Sequence, residues 1–434
     1  MATGFPTKAN WVSGDILTAT QMDDLAGTVN LLSNASATTG SQLVSNAAGT
    51  SFAYQPTPSA SNPVLNSAFN VWQRYTTQVT GTITAATSGA TTAYVVANSF
   101  VVGQYVTVTG MTPTTLNGAG VVTVASGVGF TISASTSGTF SAGGIATGSP
   151  YTASTVAAGD YNADRWQIGF SQTGKTVSRQ PTNDTTNLPS IQYCARVQKN
   201  AGQTFITALQ FVQSFESINS IPFAGKSVTF SFYARVGANF SGTSNQIIAQ
   251  LISGTGTDQN YLGTYTGANA FISQSTTLTT TWQRFSYQGT VPTTATELAI
   301  QFFYNPVGTA GANDYFEITG IQIDVGSVAL PFRTYGATYQ AELAACQRYY
   351  YQPTAGAYWN GYATSGVNFY VMVYLPVAMR TSPTITNTSI AAGNFPATAS
   401  SPTSAGTTSF ANTRTATATG AGGFADTYTA SAEL

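Results

Sequence analysis

Between Tyr161 and about Tyr335 apolar and polar positions alternate with a period of two, and each alternating run ends in turn-forming residues. The clearest runs are "SVTFSFYARV", "NQIIAQLIS", "WQRFSYQGTVP", "ELAIQFFYNP" and "DYFEITGIQIDVG". One more strand is expected near "IQYCARVQ", and one each in "NPVLNSAFNVWQR" (62–74) and "YNADRWQIGF" (161–170). That makes about eight strands, the number of a two-sheet jelly roll. Between the last two segments, 78–150 has a different grammar: short Val, Ile, Phe and Thr runs cut by Gly-rich turns, which predict a small β-module of its own. The pattern therefore describes one jelly roll, 62–77 plus 151–336, split by an inserted module at 78–150. Exposed loop tips tolerate such insertions.

The one helical period lies near the N-terminus. Met22, Leu25, Val29 and Leu32 repeat at intervals of 3, 4 and 3, a two-heptad a/d stripe, with Thr18 or Thr20 as cap and Asp23 and Asp24 in the first turn. Two heptads are too short to be stable alone in water. The stripe needs a partner, and three remain open: the body of the chain, sister chains in a parallel bundle, or a docking protein. Residues 1–36 are read as a helical anchor. Residues 37–61, small and polar with Pro56 and Pro58, are read as an extended linker. The tail, 337–434, opens on a short helix in "TYQAELAACQRYYY" and continues as strands with long loops.

Composition sharpens this picture. Only 7% of the 434 residues are charged, against about 25% in an average soluble protein, yet 42% are hydrophobic, with 23 Tyr and 24 Phe. Such a chain has the means to build cores, and its β-branched and aromatic residues suit sheets. The class is all-β. A net charge of −1 supplies no general attraction to nucleic acid or to an anionic membrane, and it favours association over colloidal repulsion. No apolar run approaches the roughly 18–20 residues of a membrane span, and the first residues lack the apolar core of a signal peptide. Synthesis in a cytoplasm as a soluble chain is the expectation.

Histidine is absent, which removes Ser-His-Asp and Cys-His sites. Cys194 and Cys346 stand far apart without metal spacing; they read as buried free thiols, with a mutual disulfide as the alternative. A hydrolase would have to use carboxylates. The close pairs are Asp160 with Asp164, in a turn-like setting, and Asp314 with Glu317, which a strand would place on opposite faces. No D-x-D-x-D loop is present, although one Ca²⁺ on a jelly-roll edge stays open. No cofactor is expected, and the chain is read as non-enzymatic. Trp72, Arg74, Asp164, Arg165 and Trp166 would neighbour one another if 62–74 and 161–170 are adjacent. An Asp–Arg pair beside two indoles reads as a structural clamp, with a sugar site as the alternative. Tyr349, Tyr350, Tyr351, Tyr358, Trp359 and Tyr362 crowd into one stretch. Most of these suit packing between domains or chains. Tyr358, Trp359 and Tyr362, in the turn-like "WNGY" setting, are the candidates for contact with a neutral glycan.

Taken in order, "NPVLNSAFNVWQR", "YNADRW" and "ITGIQIDVGSVALPFRTYGATYQAELAACQRYYY" resemble a pattern in tail-fibre and other receptor-facing proteins of tailed bacteriophages. "SGDILTATQMDDL" is similar to the segment that anchors such proteins to the particle, and "LPVAMRTSPTIT" with the closing "SAEL" to their C-terminal piece. The resemblance covers most of the chain, with 36–60 as its main gap and the insertion matched only loosely. It departs at Asp324, where the family often has Glu. It implies a carbohydrate-binding jelly roll, a homotrimer, a phage tail or baseplate partner at the N-terminus, and binding of host surface polysaccharide without chemistry. The implied location is the virion tail, after assembly in the host cytoplasm. A capsid-bound fibre or decoration protein, and a polysaccharide depolymerase, are the competing readings.

Overall fold

A computed structural model describes residues 62–74, 78–152, 159–169, 173–263 and 265–434, together with the backbone of two strands, Ser41–Ser45 and Phe52–Pro56. The expected N-terminal helix, with Met22, Leu25, Val29 and Leu32, lies outside the described residues. The stretch read as an extended linker contains an antiparallel hairpin instead, with Ser41 opposite Pro56 and Ser45 opposite Phe52. Pro56 falls on the last position of its strand, where a missing N–H costs the ladder least.

The chain is all-β, and its centre is a jelly-roll sandwich. One sheet has five strands in the order Gln167–Ile168, Leu209–Ser214, Glu297–Tyr304, Gln246–Gly254, Asn269–Thr277. The other has six: Gln283–Thr290, Ser227–Val236, Tyr315–Val325, Tyr193–Lys199, Lys175–Pro181, Tyr151–Thr152. Alternate residues of both sheets meet in one core that includes Phe211, Phe230, Phe232, Leu251, Ile300, Phe302, Phe316 and Ile318. The outer face of the six-stranded sheet is covered. Leu188, Ile191 and Trp282 pack over it around Cys194, and Glu317 is buried there between Arg196 (2.6 Å) and Arg235 (2.5 Å). Asp324, at the departure from the family pattern, pairs with Arg333 at 2.7 Å and accepts from the Leu330 N–H, which folds the "GSVALPF" loop back onto its strand.

The segment 62–74 corrects its expected role. It is not a strand: it turns at Asn66 and Phe69, both at positive φ, and plugs one end of the sandwich. Asn62 donates to the Ile321 carbonyl (2.6 Å), while Leu65 exchanges two bonds with the Gln213 amide, so the segment ties both sheets together. Phe69 enters the core 5.7 Å from Trp166. The polar and apolar residues of 62–74 follow no period of two because they line a plug rather than a pleat.

The insertion forms a six-stranded sheet in the order Ala85–Thr87, Thr92–Val95, Gly129–Ile132, Gly118–Ser126, Tyr105–Thr112, Ala142–Gly148. The chain entering it runs along the last strand, with Thr80 N–H to Ala146 (2.9 Å) and Ile83 N–H to Gly144 (2.8 Å), and this closes the sheet into a small barrel. Tyr94, Val106, Met111, Val122 and Phe130 fill it. Gly144 sits at φ +94°, a backbone conformation that favours glycine, with the Met111 side chain packed against it.

Beyond Tyr335 a helix, Tyr339–Gln347, is capped by the Thr338 hydroxyl. It leads into a second, smaller sandwich. The long strand Gly420–Ser431 is flanked by Tyr350–Tyr351 and Ala357–Ala363 on one side and Thr384–Gly393 on the other. The facing sheet is Asn368–Tyr374, Ser409–Thr415, Ser401–Thr403. Inside, Arg414 pairs with Asp426 at 2.5 Å. Cys194 and Cys346 are buried free thiols, and burial pushes both thiol pKa values up.

Candidate functional site

The residues read as a clamp do meet, but in a different arrangement. Asp164 does not pair with Arg165: it accepts from the Gln73 backbone N–H (2.6 Å) and side-chain amide (2.7 Å). Burial raises its pKa, and Arg74 and the Gln73 bonds oppose that shift. Arg165, fully buried, and Arg74 both turn to Glu433, at the far end of the sequence. Burial opposes the charge on Arg165, but the Glu433 carboxylate holds its pKa above the usual value. Tyr349 stacks on Arg165 and Tyr350 on Arg74, each 3.6 Å from guanidinium carbon to ring centroid. Trp166 lies flat on Phe211 (4.9 Å, 11°) in the core. The motifs "WQR", "ADRW" and "CQRYY" are thus one latch that fastens the C-terminal sandwich to the jelly roll. Sequence reading missed Glu433, although it is one of three charged residues after Arg380 and two arginines were in want of an acid.

The glycan candidates divide. "AYWNGYA" is itself a strand, Ala357–Ala363, not a turn, so its side chains alternate. Trp359 points inward, half-buried against Phe369 (4.5 Å) and Phe395 (5.3 Å). Tyr358 and Tyr362 point outward, 59% and 70% exposed, with Asn360 between them. Tyr351 packs against Tyr428.

A different surface has the composition of a binding site. The outer face of the five-stranded sheet carries two rows, read across paired strands: Gln210, Phe303, Ile248, Ser275, which is open, and Val212, Gln301, Gln250, Ser273, whose first two members are buried. Gln210, Phe303, Ile248 and Gln250 are half-buried, while Ser273 and Ser275 are exposed. The Gln250 amide donates to Ser273 (2.9 Å), and the Tyr261 hydroxyl reaches Gln301 (3.3 Å) from the loop that crosses one end of the face. That loop is docked by the Tyr261 N–H on the Ser214 hydroxyl, and burial raises the Tyr261 pKa, so it stays a neutral donor. Among the described residues these two rows carry amides, hydroxyls and one aromatic ring, and no charge. Sequence reading showed the alternation of "ELAIQFFY" and "QIIAQLIS" but not these rows as a site, because which outward positions stay uncovered depends on where the loop carrying Tyr261 crosses the sheet.

No family model matches the chain, and no curated protein matches it. Solved structures similar to parts of it include a CBM4 carbohydrate-binding module (18% identity, 40% of this chain and 94% of that one, TM-score 0.25). A family 11 carbohydrate-binding module from Clostridium thermocellum is 17% identical over 38% of this chain and 91% of its own, with a TM-score of 0.24. The enzymatically active domain of bacteriophage CBA120 tailspike protein 4 is 16% identical over 40% of this chain, which spans 21% of it, with a TM-score of 0.26. These likenesses are too slight to assign a ligand or a role.

Proposed function

We propose that the chain is a non-catalytic glycan-binding protein of a tailed-phage virion, a tail fibre or tail-tip protein that holds host surface polysaccharide on the outer face of its five-stranded sheet. The observation that carries this reading is the two uncharged rows; Glu297, further along the same face, is buried and accepts from the Gln259 N–H of the loop that crosses that end. Sugars present C–H faces and hydroxyl edges, which an aromatic ring and a field of amides and hydroxyls complement. The Phe303 ring lies among Gln210, Gln250 and Ser275, and the bound sugar would be recognised without ionic contacts. Hydrolysis of a glycoside needs two carboxylates about 5–9.5 Å apart across the ligand, and these rows supply none. The sequence resemblance supports the particle context and a trimeric assembly, in which several weak sites act together and effective concentration multiplies affinity by roughly 10²–10⁴.

Retention of the full chain on immobilised bacterial envelope polysaccharide, with reducing ends assayed in the same tube, tests the reading. Retention without new ends is expected. Phe303→Ala, which loses one ring contact, and Gln250→Ala, which loses one hydrogen bond, should each weaken it about fivefold, as about 1 kcal/mol does, without moving the melting temperature by more than a few degrees. New reducing ends would replace binding with depolymerisation, and unchanged retention in both variants would remove the face from the argument. Immunogold label on the head rather than the tail would make this a capsid fibre or decoration protein.

A further inference from the structure

The loop between the strands Gln246–Gly254 and Asn269–Thr277 crosses one end of the proposed sugar face, and it is fastened on two sides. On the jelly-roll side, the Ser217 N–H donates to the Asp258 carboxylate and the Asp258 N–H to the Ser217 hydroxyl, both at 2.8 Å. Tyr261 follows, with its N–H on the Ser214 hydroxyl (3.0 Å) and its own hydroxyl on Gln301 (3.3 Å). On the other side the loop reaches the C-terminal sandwich. The Asn260 amide donates to the Leu434 carbonyl (3.0 Å), while its oxygen accepts from the Leu262 N–H (2.9 Å), so one side chain both shapes the turn and tethers it. Arg380 donates to the Ala432 and Glu433 carbonyls, each at 2.8 Å, and its guanidinium lies 3.8 Å from the Asp258 carboxylate. Ser214 joins the two fastenings: its carbonyl accepts from Arg165 of the latch (2.7 Å), and its hydroxyl holds Tyr261. Gly169 leaves the space over it to two side chains, Leu262 from the loop and Gln210 from the open row, and a Cβ there would meet both. Gln210 stands opposite Phe303 in that row.

We propose that Asn260 and Arg380 are positioning residues for the sugar face: through them the C-terminal sandwich holds Tyr261 and Leu262 at the end of the open row, so that saccharide on that face and attachment of that sandwich stabilise each other. The inference rests on the glycan-binding reading above and adds its control. Ordering a loop costs conformational entropy, and a tether that meets this cost before the ligand arrives raises affinity. With the jelly-roll bonds alone the loop keeps its base at Asp258, but the residue next to Tyr261 loses its hold on the second sandwich. Coupling of this kind is reciprocal: whatever factor the tether adds to saccharide affinity, bound saccharide adds to the tether. Neither Asn260 nor Arg380 has to contact the saccharide for this to work.

The test compares retention of the full chain and two variants on immobilised bacterial envelope polysaccharide, and follows backbone hydrogen exchange with the same polysaccharide in solution. Asn260→Asp keeps the acceptor for Leu262 and loses the donor to Leu434. Arg380→Gln loses the charge beside Asp258 and the fork that reaches Ala432 and Glu433. Each should weaken retention about fivefold, the low end of the usual range of couplings, and Asn260→Asp should do so with the melting temperature within a few degrees. Saturating polysaccharide should slow exchange at residues 430–434, in the C-terminal sandwich, and should slow it less in Asn260→Asp than in the wild type. Phe303→Ala, compared at equal saturation, should show the wild-type protection, because it weakens the face and not the tether. Retention unchanged in both variants, or equal protection with and without the Asn260 amide, overturns the coupling and leaves the sugar face standing. Absence of protection at 430–434 in the wild type overturns it without recourse to a variant. If the wild type is not retained at all, the glycan-binding reading fails first and the coupling falls with it.

Discussion

Glu433 holds together the charged groups of the latch between the two sandwiches. It neutralises two arginines, one of them 99% buried, and both of those arginines also support a stacked tyrosine. Removing one partner of a buried pair leaves a charge in a poor environment, at a cost of about 3–5 kcal/mol. Glu433→Ala should therefore lower stability by that amount in denaturant unfolding, and Glu433→Gln, which can still accept a hydrogen bond, by less. A loss under about 1 kcal/mol in the alanine variant would mean that the stacking and the Gln73–Asp164 bonds hold the latch without it. Sequence reading found the arginines and indoles of this latch but gave Arg165 the wrong acid. Asp164 is its neighbour in sequence, whereas the true partner is 268 residues away, and a distance of that kind leaves no local signal. Tyr358 and Tyr362 were correctly expected to be exposed. Trp359 was not, because "NGY" reads as a turn in isolation while the long Gly420–Ser431 strand pairs it flat.

At the scale of elements the alternating runs were legible almost to the residue: "SVTFSFYARV" is the strand Ser227–Val236, and "ELAIQFFY" is Glu297–Tyr304. Period two survives translation into structure because the pleat enforces it. The plug at 62–74 was not legible, since it depends on Phe69 at positive φ, a conformation that a phenylalanine does not advertise. The insertion was visible from its grammar, and the structure shows how little it disturbs its host. Its two connecting chains lie side by side, with the Gly148 N–H bonded to the Gln78 carbonyl at 2.9 Å. Replacing 79–147 with two or three glycines should leave the jelly roll folded, with a melting temperature within a few degrees. A chain that fails to fold would show that the barrel braces the Lys175–Pro181 strand, which it touches through Gly103 and Pro150.

For the molecule as a whole, scarce charge means that pH acts through a few buried groups. Burial raises Glu342, on the inner face of the Tyr339–Gln347 helix, to about 7, against nearby groups of Asn66, Ser67 and Asn70 that hold it down; Asp164, Glu297 and Asp314 are raised by the same cause. Between the usual carboxylate range and about pH 7 the unfolded chain has released the Glu342 proton and the folded one still holds it. Stability therefore falls as pH rises through that window, and the loss is complete above it. Glu342→Gln should add up to about 3 kcal/mol at pH 8 and nothing at pH 4. Melting curves at the two pH values read this directly, and an equal gain at both would assign it to packing. The latch and the plug have one more consequence, for the order in which the chain can fold. The sandwich cannot close before Ile321 is made, 259 residues after the Asn62 that bonds to it, and the latch waits for Glu433, 359 residues after Arg74. The barrel needs nothing beyond its own seventy-odd residues. On a translating ribosome a finished module therefore sits inside an unfinished one, and the open sheets of the jelly roll are exposed to other nascent copies for most of the time that the chain is being made.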